Sequence, residues 1–167
     1  MTYAPNVRKA ALTIHVLCAV GWFGAVAAYL ALALTGLRSA DPQLVRCAYA
    51  AMALIGWGVT APASGGALLT GAAQALGTAW GLTRHWWVLL KLGLTVFAAL
   101  ALFVHLQPTS LMAETVRTRD LGPRDLLAAR WQLVVAPSLA LILLACNATL
   151  GIAKPRGLTP FSGRRRA

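Results

Sequence analysis

The sequence predicts an all-α membrane protein, an antiparallel bundle of four transmembrane helices. Three observations carry this expectation. Hydrophobic residues make up 59% of the 167-residue chain and charged residues only 11%, against about 25% charged in a soluble domain. Four apolar segments, about 10–34, 46–71, 85–106 and 128–153, each supply the ~20 residues that a helix needs to cross the hydrocarbon. The 15 Lys and Arg, giving a formal net charge of +11, cluster at the ends of these segments. That placement suits lipid headgroups and topology. No nucleic-acid recognition motif accompanies the charge, so nucleic acid is set aside as a partner.

The first segment follows Arg8 and Lys9, as a signal peptide would. Its apolar stretch is longer than the roughly 7–15 residues of a signal h-region, and no clear cleavage site ends it. It reads as a retained helix. The second contains LIGWGVTAPASGGALLTG. Pro62 predicts a kink there, and Ser64, Gly65 and Gly66 allow a neighbouring helix to come close. The same residues serve either tight packing or a thin wall beside a flat ligand. GWFG, Gly21 to Gly24, carries the same two readings.

In the third segment Pro108 is expected to end the helix. A short interfacial helix then follows over about 110–118. Gly122 and Pro123 mark a turn and the start of the fourth helix. The tail KPRGLTPFSGRRRA, 154–167, is rich in Pro, Gly and Arg. It is expected to lie on anionic lipids at the cytoplasmic face rather than fold.

Orientation follows from the basic residues. With the N-terminus inside, nine fall on the cytoplasmic side (Arg8, Lys9, Arg84, Lys91, Lys154, Arg156 and Arg164 to Arg166). The other six, Arg38, Arg46, Arg117, Arg119, Arg124 and Arg130, fall outside. This favours a multi-pass protein of a bacterial cell membrane with both termini cytoplasmic. Cys18, Cys47 and Cys146 form no C-x-x-C pair, so neither zinc nor a redox dithiol is signalled.

The polar residues inside the spans are the chemical signal. His15 lies five residues into the first span and Lys91 five residues into the third, each roughly 7 Å past the inner boundary. Asn147 lies five residues before the fourth span ends, and Ser64 or Thr70 of the second falls near that level. Lys91, Thr95, Ala98 and His105 share one helical stripe, with Arg84 at its cytoplasmic mouth. His85 is rotated away from that stripe. On the first helix, Cys18, Trp22 and Tyr29 follow His15 along one face.

Two readings stand for Lys91. Its long stem could snorkel to the inner headgroups. Alternatively it faces the bundle, and a charge held there needs a partner. No carboxylate lies within any span core, so a bound anionic ligand would supply the counter-charge. His15 could equally be a core histidine bonded to a neighbouring helix, and His105 is expected at the outer surface. Haem suits the layer. His15 would be an axial ligand to the metal, Lys91 and Arg84 would meet the propionates, and glycine-rich helices would leave room for the macrocycle.

Two stretches resemble a known group. ALTIHVLCAVGWFGAVAAYLAL is similar to the first helix of the HemJ-type protoporphyrinogen oxidases and of CopD-like copper-resistance membrane domains. HWWVLLKLGLTVFAALALFVH is similar to the third helix of the HemJ-type proteins. The resemblance implies that His15 ligates haem b and that Lys91 is the functional lysine of the third helix. The whole chain also resembles small four-helix membrane proteins of high-GC Gram-positive bacteria.

Three functions follow as expectations. The first is a haem-b-binding or redox-associated membrane protein, with His15, Lys91, Arg84 and Asn147 as cofactor-binding residues. The second is an accessory or assembly protein without cofactor, acting with a membrane-protein partner or as a homo-oligomer. The third is copper handling of the CopD-like kind.

Overall fold

The computed structural model describes residues 4–77, 85–119, 125–153, 157 and 159. Helix α1 spans Pro5–Arg38. Helix α2, Pro42–Ile55, runs through a π-helical turn, Gly56–Thr60, into α3, Ala61–Gly77. Helix α4 spans Trp86–Thr118 and α5 spans Leu127–Ala153. Four stretches are long and apolar enough to cross a membrane: α1, Pro42–Gly77, α4 and α5. The chain is an integral membrane protein built from four apolar helices.

Local sequence sets the helix ends. Proline opens α1 and α2 at the first turn, where its missing N–H leaves no bond unmade. The Asp41 carboxylate accepts from the Gln43 amide at 2.9 Å and caps α2. Pro62 falls just after the π turn, where the Ala61 amide reaches back five residues to the Gly56 carbonyl. This wide turn absorbs the ring that would otherwise press on the preceding turn. Thr60 donates to the Ile55 carbonyl at 3.1 Å, and Ser64 to the Ala61 carbonyl at 2.7 Å. These hydroxyls bond carbonyls about one turn back in the same span.

Two expectations are corrected here. Pro108 does not end the third helix, and no separate interfacial helix follows it. Helix α4 runs unbroken through Pro108 to Thr118. Thr109 and Ser110 donate to the carbonyls of His105 and Leu106, both at 3.0 Å. At 1.5 Å per residue the 33 residues of α4 extend about 50 Å, well beyond a ~30 Å hydrocarbon core. The second correction concerns Arg130, counted above with the outer connections. It lies within α5, its side chain is fully buried, and its Nε donates to the Tyr49 hydroxyl at 3.3 Å. The Gly122-Pro123 turn and most of the tail lie outside the described residues. Thr159 of the tail is buried, and the space beside Gly157 is filled by Trp86.

Two apolar clusters stack along the bundle, each drawing on all four spans. One holds Tyr29 and Ala33, Tyr49 and Met52, Met112 and Val116, and Leu133 and Val134. The other holds Trp22 and Val26, Ala67, Ala98 and Ala99, and Leu144. Successive spans cross these clusters in alternating order. Close approach depends on small residues, as expected between membrane helices. A Cβ at Gly56 would sit 2.5 Å from Leu106, and one at Gly66 would sit 2.7 Å from the Cys18 sulfur. The second cluster seals one side of the polar layer that carries the chemistry.

Candidate functional site: a membrane-level cavity with one histidine and one lysine

A cavity of about 430 Å³ lies against the second cluster, and all four spans contribute to its wall. Helix α1 brings His15 and Trp22, α3 brings Ala67, α4 brings Lys91 and Thr95, and α5 brings Leu144 and Asn147. Of the four residues expected at the site, His15, Lys91 and Asn147 are brought together. Arg84 lies outside the described residues. His85 does not line the cavity, and its ring packs near Trp87 with centroids 6.5 Å apart. His105 does not line it either. It is half-buried rather than at the outer surface, with its ring 5.9 Å from that of Tyr29. The Tyr29 hydroxyl in turn bonds Thr109.

The polar groups are ordered by a short chain of bonds. Thr95 donates its hydroxyl hydrogen to the Lys91 carbonyl at 2.8 Å. Its oxygen is then free to accept from Asn147 Nδ2 at 2.9 Å. That fixes the amide orientation, because the bond network decides which end is nitrogen. Asn147 is only 8% exposed, and its Oδ1 meets no donor among the described residues. The Lys91 ammonium donates to the Asn147 backbone carbonyl at 3.3 Å. It carries three hydrogens, so donor capacity remains for the cavity.

The same logic assigns the histidine tautomer. Thr70 donates to the Gly66 carbonyl at 2.5 Å. Its oxygen therefore accepts from His15 Nδ1, 3.0 Å away. An imidazole that donates from Nδ1 holds a lone pair on Nε2. This is the arrangement that orients a metal-ligating histidine from behind.

Two glycines make room for the functional side chains. A Cβ at Gly71 would sit 3.2 Å from His15 Cε1, and one at Gly151 would sit 2.8 Å from Lys91 Nζ. Thr70 was one of two sequence candidates for this level. Sequence reasoning singled out neither glycine for this part, and neither carries a signal of it, because the requirement comes from a side chain on another helix. Thr95 was visible only as a member of the Lys91 stripe.

The chemistry on offer is compact. Among the described residues, its polar lining is His15, Lys91, Thr95 and Asn147, set among apolar side chains. Among the described residues no carboxylate lines the cavity, so the Lys91 amine has no protein anion beside it there. Among the described residues, no three His, Cys, Asp or Glu side chains gather where they could hold a metal ion. No family model, curated protein or solved structure matches the chain.

Proposed function

We propose that the protein binds haem b in this cavity, with His15 Nε2 as axial ligand to the metal and Lys91 as the partner of a propionate. The observation that carries the reading is the Thr70–His15 pair. It holds one imidazole in the tautomer that leaves Nε2 able to ligate, at the wall of a cavity in an otherwise apolar bundle. The volume falls within the roughly 300–1,000 Å³ of ligand sites. The unmatched charge of Lys91 asks for an anion, and the resemblance of the first and third helices points to the same two residues.

The residues fit the group in these respects and leave the opposite face open. Neither His85 nor His105 lines the cavity. Among the described residues, His15 is the imidazole that would hold the group. When bound, haem would supply one-electron redox chemistry. The chain's own residues hold the imidazole through Thr70, bring the Lys91 amine to the same cavity and line it with the apolar Trp22, Ala67 and Leu144. We further propose that the protein sits in a bacterial cell membrane with both termini cytoplasmic. Its basic face would then meet anionic lipids.

Haem titration tests the reading. The wild-type protein in detergent should develop a Soret band that saturates near one haem per chain. Lys91→Ala should weaken haem retention and leave the band position unchanged. A protein that stays colourless with haem in excess would reject the reading and leave the cofactor-free accessory role in its place.

A further inference from the structure

The cavity has a polar end and an apolar end. His15 and Lys91 line it on the side nearer the first turns of α1 and α4. From His15 the wall follows α1 through Val20 to Phe23, eight residues on, or about 12 Å of rise. On α5, Leu144 lies one turn from Asn147 toward the middle of the helix. Thr95, one turn past Lys91, has its hydroxyl bonded to the Lys91 carbonyl and to the Asn147 amide. The large side chains of the far part are Trp22, Phe23 and Leu144. Polarity therefore falls along the bundle axis, from Lys91 toward Phe23.

Among the described residues, one side of the cavity is left open. Val20 and Phe23 of α1 and Ala145 and Ala148 of α5 line it and are also exposed on the outside of the bundle. Val20 is 65% exposed and Phe23 42%. All four are apolar and lie within membrane-spanning helices, so the opening meets hydrocarbon chains rather than water. A molecule that passes there must first dissolve in the bilayer. At the polar end, Lys91 has no carboxylate beside it in the cavity wall, and a charge held in a span needs a counter-charge. Lys91 lies five residues past the start of α4, about 7 Å of rise. Trp86 opens that helix and is 56% exposed, as aromatic residues at a membrane interface are. The polar end thus sits near headgroup level and the apolar end lies deeper.

We propose that the cavity is loaded from the bilayer by an amphiphile with an anionic head, which enters between α1 and α5. Its head pairs with Lys91, and its apolar body lies along Trp22, Phe23 and Leu144. The molecule keeps the orientation it has in a leaflet, so it slides in without turning over. The proposal rests on the reading of this cavity as a ligand site and does not require iron. Two sources share the chemistry: a tetrapyrrole edged with propionates and a free fatty acid. The open side suits both, because a body longer than the cavity can remain partly in the lipid.

The test is photolabelling of the wild-type protein in phosphatidylcholine nanodiscs, at a pH well above the carboxylate range. The probe is palmitic acid carrying a diazirine near mid-chain, and the labelled residues are mapped by mass spectrometry. Label should concentrate on Val20, Phe23, Ala145 and Ala148. Excess palmitic acid should displace it, while hexadecanol, which has the same chain and no charge, should compete about tenfold more weakly, the loss expected for one bond to a charged group. Lys91→Met keeps most of the stem and every other basic residue, and should lower the displaceable label by about the same factor. Replacing Ala145 and Ala148 by Trp should lower labelling of Val20 and Phe23 by closing the gap. Ile142→Trp is the control, because Ile142 is exposed on α5 and does not line the cavity. Label spread evenly over the lipid-facing residues of all four spans overturns the proposal even if no variant folds. Equal competition by acid and alcohol overturns the anionic head, and unchanged labelling in the double Trp variant overturns the route. A protein that stays colourless with haem yet takes displaceable label rejects haem and sustains this proposal. One that binds haem and takes no displaceable label does the reverse.

Discussion

Replacing Gly36 by Ala tests the packing of the half of the bundle opposite the cavity. Gly36 is buried in α1, and a Cβ there would sit 2.6 Å from Cζ of Tyr49 and 2.9 Å from its hydroxyl oxygen. Tyr49 is fully buried in α2, so its ring has little room to retreat. Overpacking of this kind costs about 1–3 kcal/mol. Moving the ring also pulls the hydroxyl from Arg130 Nε, and a hydrogen bond to a charged group contributes about 1.5–3 kcal/mol. Alanine recovers roughly 1 kcal/mol of helix propensity over glycine. The net expectation is a loss of about 1.5–5 kcal/mol. Steric trapping or denaturant unfolding in mixed micelles measures it. Gly21→Ala and Gly24→Ala are the controls, because nothing lies within 4 Å of a Cβ at either position. A Gly36→Ala protein as stable as these controls would refute the packing.

Thr70→Val removes the acceptor for His15 Nδ1 and should weaken haem binding by roughly 10–100-fold, the usual effect of losing a partner behind a metal ligand; a titration followed at the Soret band reads it, and unchanged affinity counts against the tautomer assignment. Gly151→Ala displaces the Lys91 ammonium and should speed haem loss while leaving unfolding nearly unchanged, since the clash falls on the free end of a flexible side chain; equal dissociation rates would separate Lys91 from the ligand. A cysteine introduced between α4 and α5, in a variant lacking the native cysteines, should be labelled only from outside the cell, and labelling only from the cytoplasm would reverse the proposed topology.

The four apolar helices were legible because hydrocarbon imposes length and composition on any helix that crosses it. That His15, Lys91 and Asn147 come to one cavity was legible from their matched positions along the spans, since rise per residue converts position into level. Their bonding was not. Thr70 is selected over Ser64 by the way α3 lies on α1 after the π turn, and Ser64 instead satisfies the Ala61 carbonyl. Arg130 sat at the start of an apolar run and read as an outer basic residue. Its burial depends on Tyr49, 81 positions away in sequence. Pro108 illustrates the opposite failure. Proline ends helices in water, but here α4 continues past it, with the hydroxyls of Thr109 and Ser110 bonded to nearby carbonyls. The glycines at 71 and 151 were invisible because each makes room for a side chain on a different helix.

The central claim is that His15 is the haem ligand. The most direct measurement is the visible absorption spectrum of the protein produced with ample haem, compared with His15→Ala, His85→Ala and His105→Ala. The expected result is a Soret band that survives in the His85 and His105 variants and disappears in His15→Ala. A colourless wild-type protein, or an unchanged band in His15→Ala, would contradict the assignment.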